Sequence, residues 1–284
     1  MAVSSKMPVM GTGGDAFRYR YGPWAVVVGA SEGIGAEFAR QLAARGLNLA
    51  LAARRADVLQ HTCEALRLSC GIQVLAVRLD MADADSVDSL VARTASLDVG
   101  LLVCSAAVSP VGSFLSRPRS EHERLVAVNC RAPALLAWEY GRAMARRGRG
   151  GIILLSSMSG FQGVGSVAHY SASKAYVRVL AEGLWNELHS QGVHAIACCP
   201  GIVSTPTYHS EQPVRPVWLP SPLMECGPVV ARTLRALGKR PVVVPGAANA
   251  IASWFTQRLM PRKAAIALTS AGTRALYRSR EDLS

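Results

Sequence analysis

Tyr170 and Lys174 stand four residues apart in Tyr170-Ser171-Ala172-Ser173-Lys174. Four residues is about one helical turn, so the two side chains share a face. An ammonium beside a phenol favours the phenolate and lowers its pKa. Tyr170 is therefore a candidate acid/base. Alone, such a pair reads by default as two exposed residues on a helix. Ser157 changes that weighting. It lies in Ser156-Ser157-Met158-Ser159-Gly160, just after an apolar run. A serine at the carboxyl end of a strand points into a ligand cleft, where it can hydrogen-bond a carbonyl oxygen.

A second group of residues fits phosphate binding. Gly29-Ala30-Ser31-Glu32-Gly33-Ile34-Gly35 separates the first apolar run from the first helical pattern. Glycines there allow a tight turn and let backbone approach a pyrophosphate at a helix N-terminus. Glycine-rich strand ends also occur for packing alone, but the placement favours Gly29, Ser31, Gly33, Ile34 and Gly35 as cofactor residues. About twenty residues on, where an acid would hold an NAD ribose, the chain reads Ala52-Ala53-Arg54-Arg55. Arg54 can pair with a 2′-phosphate, whereas Arg55 reads as a solvated helix start. Asp80 follows the third strand, and either caps the next helix or accepts a bond from adenine.

These residues must be positioned by a regular alternation. Short apolar runs at 24–29, 47–53, 72–79, 99–104, 151–156, 193–199 and 242–244 read as buried strands. Helical periodicity fills 33–45, 55–70, 84–95, 120–147, 168–191 and 229–237. The expected fold is α/β: a doubly wound, seven-stranded, parallel sheet of Rossmann type in three layers. Such sheets bind ligands at the carboxyl ends of their strands, where the motifs fall.

Composition narrows the field. The 284 residues are 50% hydrophobic and only 18% charged, which excludes a disordered chain. The net charge of +12 is concentrated late, with ten Lys/Arg after Ala231 against Glu281 and Asp282. No nucleic-acid-binding motif accompanies it. Seven cysteines show no metal-ligand spacing and imply a reducing, cytoplasmic setting. No run reaches the ~18 apolar residues of a membrane span.

Together these motifs make the chain similar to the short-chain dehydrogenase/reductase family over about 22–246. Tyr21-Gly22-Pro23-Trp24-Ala25 resembles the branch acting on steroids and long 3-oxoacyl groups. The resemblance implies NADP(H) as cofactor and a tetrad of Asn129, Ser157, Tyr170 and Lys174. By the family pattern Tyr170 protonates a carbonyl oxygen held by Ser157. Lys174 lowers the Tyr170 pKa and binds the nicotinamide ribose, and Asn129 keeps a proton-relaying water. Pro200, Val203 and Thr205 correspond to the segment that positions the nicotinamide. A homodimer or homotetramer is likewise implied. Two departures stand out. Val28 replaces threonine before the first glycine, and Cys104-Ser105-Ala106-Ala107 replaces N-N-A-G.

The expected activity is reduction of a hydrophobic ketone, or the reverse. The loop at 204–225 carries Val214, Val217, Trp218, Leu219, Leu223 and Met224, which favours an apolar substrate. The altered strand-four motif supports a rival reading, a nucleotide-binding sensor or scaffold with little turnover. The boundaries expected are a loose arm at 1–20, the main domain at 21–246 and a basic helical extension at 247–284. Pro261 divides that extension into two helices. Either they pack on the domain with their cations in water, or they meet anionic membrane or an acidic acyl carrier at the protein's periphery.

Overall fold

The computed structural model describes residues 13–213 and 222–277, with side chains from Ala16 onward. Its seven strands are β1 (Trp24–Val28), β2 (Asn48–Ala53), β3 (Val74–Arg78), β4 (Val99–Cys104), β5 (Gly150–Leu155), β6 (Val193–Cys198) and β7 (Val242–Val243). All pairs are parallel and the order is β3-β2-β1-β4-β5-β6-β7. The winding reverses between β1 and β4. Register aligns Val28 with Ala52 and Cys104, so the residues that follow open on one edge.

The strands are apolar apart from Asn48, Arg78 and His194 near their ends, because both faces are covered. Alternate residues serve opposite layers. Ile153 and Leu155 pack with Phe38, Leu42 and Leu101, while Ile152 and Leu154 pack with Leu136, Met144 and Val177. The main helices are α1 (Gly13–Tyr21), α2 (Gly33–Ala43), α3 (Ala56–Cys70), α4 (Ser86–Thr94), α5 (Arg119–Val126), α6 (Ala132–Arg147) and α7 (Ala168–His189). Later come α8 (Pro206–Ser210), α9 (Cys226–Ala236), α10 (Ala247–Arg258) and α11 (Arg262–Leu276).

Three local expectations need correction. The loose arm expected at 1–20 is helical from Gly13. Tyr21 is buried, its hydroxyl lies 2.7 Å from His194 Nδ1, and Phe17 one turn earlier packs on the core. The single helix expected at 120–147 is interrupted by a π-helical turn, Ala127–Arg131, between α5 and α6. The loop after β6 contains α8, capped by the Thr205 hydroxyl, which accepts from the Tyr208 N–H at 3.1 Å. Val214, Val217, Trp218 and Leu219 lie outside the described residues, as do Arg278 and Arg280. All seven cysteines are free. No described helix is long and apolar enough to cross a membrane.

Candidate functional site

A cleft of about 400 Å³ runs along the carboxyl edge of the sheet. Its floor is the turn from β1 into α2. Gly29 has φ +86°, and a Cβ there would lie 2.5 Å from the Ala106 nitrogen. A Cβ at Gly35 would overlap the Gly29 carbonyl oxygen. Glycine at these points lets β1, β4 and α2 close up while the α2 N-terminus faces the cleft. Ser31, Gly33 and Ile34 line it, with Pro200, Val203 and Thr205 across from them. Gly35 acts from behind, through packing.

One end of this cleft is cationic. Arg54, Arg55 and Arg124 all line it. Arg55 pairs with Glu32 at 2.6 Å and Arg124 with Asp80 at 2.7 Å. Arg54 makes no ion pair among the described residues and is exposed toward the cleft. Asp80 also accepts from the Ala82 N–H at 3.0 Å, so it holds the local turn as well as lining the cleft. Burial opposes its charge, but Arg124 and the Ala82 N–H outweigh that and lower its pKa. Arg124 carried no motif. Its place appears only when α5 packs beside the end of β3.

At the other end stand Ser157, Tyr170 and Lys174. Ser157 follows β5 and caps a 3₁₀ turn, Met158–Phe161. Its Oγ accepts from the Ser159 N–H at 3.2 Å and lies 3.1 Å from Ser159 Oγ. Tyr170 lines the cleft beside it, close enough for the Ser157 hydroxyl to favour the phenolate. The turn lies tightly on α7, since a Cβ at Gly160 would come within 2.7 Å of the Lys174 carbonyl carbon. Ser156 Oγ donates to that same carbonyl group at 2.7 Å.

The electrostatics differ from the helical-pair expectation. Lys174 is 3% exposed, and its Nζ donates to the Leu155 carbonyl at 2.8 Å. It sits 5.5 Å from the centre of the Tyr170 ring. Burial pushes the Lys174 pKa down to about 8, against the pull of neighbouring cysteines. Burial also raises the Tyr170 phenol, with the Ser157 hydroxyl acting the other way. Burial thus outweighs the Ser157 hydroxyl, and the lowering of Tyr170 expected from Lys174 is not seen.

Asn129 is placed by the π turn and is 1% exposed. Its Oδ1 accepts from the Val108 N–H at 2.9 Å. Its Nδ2 donates to the Val108 carbonyl at 2.9 Å and to Ser173 Oγ at 3.0 Å. Ser173 Oγ in turn donates to the Tyr170 carbonyl at 2.7 Å. Asn129 thus ties the strand-four loop to α7 from outside the cleft. In the altered segment, the N–H groups of Ser105 and Ala106 both donate to the Val28 carbonyl at 2.9 Å. Backbone alone joins the ends of β1 and β4 there.

A second cavity of about 370 Å³ adjoins the first, and both are bounded by Ser157, Tyr170, Val203 and Thr205. Val111, Val164, Val167 and Ile202 supply apolar wall. One side of it comes from α10 and α11, through Ala252, Ser253, Thr256, Leu268, Thr273 and Leu276. This use of the tail was not expected. Its helical pattern marks an inner face without saying what that face encloses.

Comparison with known proteins agrees with this geometry. The sequence profile of the short chain dehydrogenase family matches residues 23–215. A 7β-hydroxysteroid dehydrogenase of Clostridium sardiniense is 30% identical over 200 residues, covering 70% of this chain and 77% of its own. A solved 7β-hydroxysteroid dehydrogenase structure superposes with a TM-score of 0.83 at 25% identity, over 89% of this chain and 98% of the other. A short-chain dehydrogenase from Sphingobium yanoikuyae, solved with NADPH, gives a TM-score of 0.71 at 29% identity. It covers 78% of this chain and 87% of its own.

Proposed function

The chain belongs to the short-chain dehydrogenase family, and we propose that it is an NADP(H)-dependent oxidoreductase interconverting an apolar ketone and its secondary alcohol. The observation that carries this is the shared wall. Ser157 and Tyr170 border both the glycine-floored cleft and the apolar cavity, so two ligands can meet at their hydroxyls. The first cleft fits a dinucleotide, because its floor has no room for side chains at Gly29 and Gly35.

When bound, the nicotinamide supplies the hydride that the carbonyl carbon receives. Ser157 Oγ holds the carbonyl oxygen and Tyr170 gives it a proton, which balances the reduction. Lys174 holds the nicotinamide ribose. Asn129 is a positioning residue, which fixes α7 through Ser173 and the neighbouring loop through Val108. Pro200, Val203 and Thr205 flank the nicotinamide end, and Arg54 meets the 2′-phosphate. Asp80 borders the adenine end.

The cavity volume and its valine-rich wall suit a compact polycyclic ketone, in keeping with the steroid dehydrogenases this chain resembles. A long 3-oxoacyl chain would have to leave through the mouth. The backbone bonds of Ser105 and Ala106 stand in for the family's asparagines, which weakens the sensor reading. We also assign a paired assembly, since α5–α7 expose Val126, Leu135, Trp138, Tyr176 and Val179 together. The setting remains the cytoplasm in this reading.

The test is NADPH oxidation with a panel of polycyclic and acyl ketones. Tyr170→Phe should lower turnover by about 10²–10⁴-fold, the worth of positioned proton transfer, with NADPH affinity kept. Near-normal turnover in that variant would remove Tyr170 from the chemistry.

A further inference from the structure

Helix α10 is inverted. Its inward face is small and polar: Asn249 and Ser253 are buried, and Ala252 and Thr256 line the second cavity. Its outward face carries Ile251, Trp254 and Phe255, with Leu259 just past its end. These are 67%, 57%, 45% and 60% exposed. Their spacing of three, four and eight residues places them on one stripe. Leaving four large apolar side chains side by side in water is costly, and a contiguous exposed patch of this kind marks an interaction site.

Charge decides what kind. Arg258 lies on the same stripe, and Arg262 and Lys263 open α11 beside it, all three exposed. No acidic residue occurs between Glu225 and Glu281. Two copies meeting through this face would bring like charges together with no carboxylate from this segment to answer them. An acidic protein would answer the cations but present mostly polar surface to Ile251, Trp254, Phe255 and Leu259. An anionic bilayer offers both anionic headgroups and hydrocarbon at the right depth. Tryptophan favours that boundary.

We propose that the outward face of α10, with the start of α11, docks on anionic lipid. The helix lies in the interface, with its apolar stripe among the acyl chains and Arg258 and Lys263 among the headgroups. The same helix walls the second cavity, so docking places that wall of the cavity beside the bilayer. An apolar ketone could then enter from lipid, a consequence that rests on the reductase reading. Docking itself does not depend on it.

The experiment is co-sedimentation of the full chain with vesicles of equal parts phosphatidylglycerol and phosphatidylcholine, and of phosphatidylcholine alone, at low salt. The protein should pellet with the anionic vesicles only. It should be released in about 1 M salt, where screening acts over about 3 Å. Ile251→Ser with Phe255→Ser should abolish pelleting while NADPH affinity and the thermal melt stay unchanged. Arg258→Glu with Lys263→Glu should do the same by removing the headgroup contact. Trp254→Phe should still bind but lose the vesicle-induced blue shift of tryptophan emission.

No pelleting at low salt would overturn the proposal. So would equal pelleting with neutral vesicles, or unchanged pelleting in both double variants. Sedimentation velocity without lipid gives a further check. A change from dimer to monomer in the serine variant would show that this face meets a second copy. Capture of an acidic acyl carrier protein without vesicle binding would equally sink it. None of these readouts uses turnover, so failure here is separable from failure of the reductase reading.

Discussion

Lys174 carries the clearest consequence of burial at a single residue. Its pKa of about 8 lies below the ordinary value near 10.4. Between about 8 and that value the unfolded chain holds a proton that the folded chain has lost. Stability from this group therefore rises with pH across that window. Cofactor binding should run the other way. An anionic dinucleotide draws the proton back onto Lys174, so NADPH affinity should fall as pH rises above about 8. Titration of NADPH binding from about pH 7 to about pH 10 measures it. Lys174→Met should flatten the slope, and a flat wild-type profile would contradict the assignment.

Arg54 is the second residue-scale case. Arg55 and Arg124 already hold carboxylates, Glu32 and Asp80, so a 2′-phosphate must compete for them. Arg54 makes no ion pair among the described residues, although its charge reaches Asp80 and helps lower that carboxyl's pKa. A charge-assisted bond is worth roughly 1.5–3 kcal/mol. Arg54→Ala should accordingly narrow the NADP(H)-to-NAD(H) ratio of kcat/KM on the order of tenfold to a hundredfold. An unchanged ratio would move the preference to another group, with Arg124 next in place.

At the scale of elements, the π turn between α5 and α6 serves the site by placing Asn129. It turns a buried amide toward Val108 and Ser173, and so couples the strand-four loop to the helix that bears Tyr170 and Lys174. Asn129→Leu keeps the volume and strands the Val108 N–H and C=O. Each stranded group costs about 1–3 kcal/mol. Urea unfolding should register that loss, and turnover should fall further than NADPH affinity because α7 is what loosens. The seven strands were legible in the sequence because burial on both faces makes them continuous apolar runs. Ser157, Tyr170 and Lys174 were legible because spacing along one strand end and one helix brings them together. The π turn was not, since one extra residue leaves the apolar periodicity of 120–147 nearly intact. Helix α1 was not, because its two anchors, Phe17 and Tyr21, gain their meaning only from partners such as His194. Arg124 was hidden for the same reason, its partner Asp80 being 44 residues away.

On the scale of the whole molecule, the C-terminal helices join a site whose chemistry lies entirely in the sheet domain. Helix α11 buries Ala265, Ser270, Gly272 and Leu276. Gly165 donates its N–H to Ser270 Oγ at 2.8 Å, and Arg262 donates to the Phe161 carbonyl at 3.0 Å. These bonds seat α11 on the segment between Ser157 and Tyr170, so the tail encloses the second cavity without touching the dinucleotide cleft. Ending the chain after Met260 should therefore separate the two ligands. NADPH affinity should stay within about twofold, a change of under 1 kcal/mol. KM for an apolar ketone should rise, because Leu268, Thr269, Thr273 and Leu276 no longer cover it. Burying one apolar side chain is worth about 1.5–3 kcal/mol, so losing this wall should raise KM at least tenfold while kcat falls less. Steady-state kinetics on the shortened chain, with NADPH binding measured in parallel, checks both arms. An equal loss of cofactor affinity would mean that α11 supports the sheet domain as a whole, and an unchanged KM would mean that the ketone never reaches this wall.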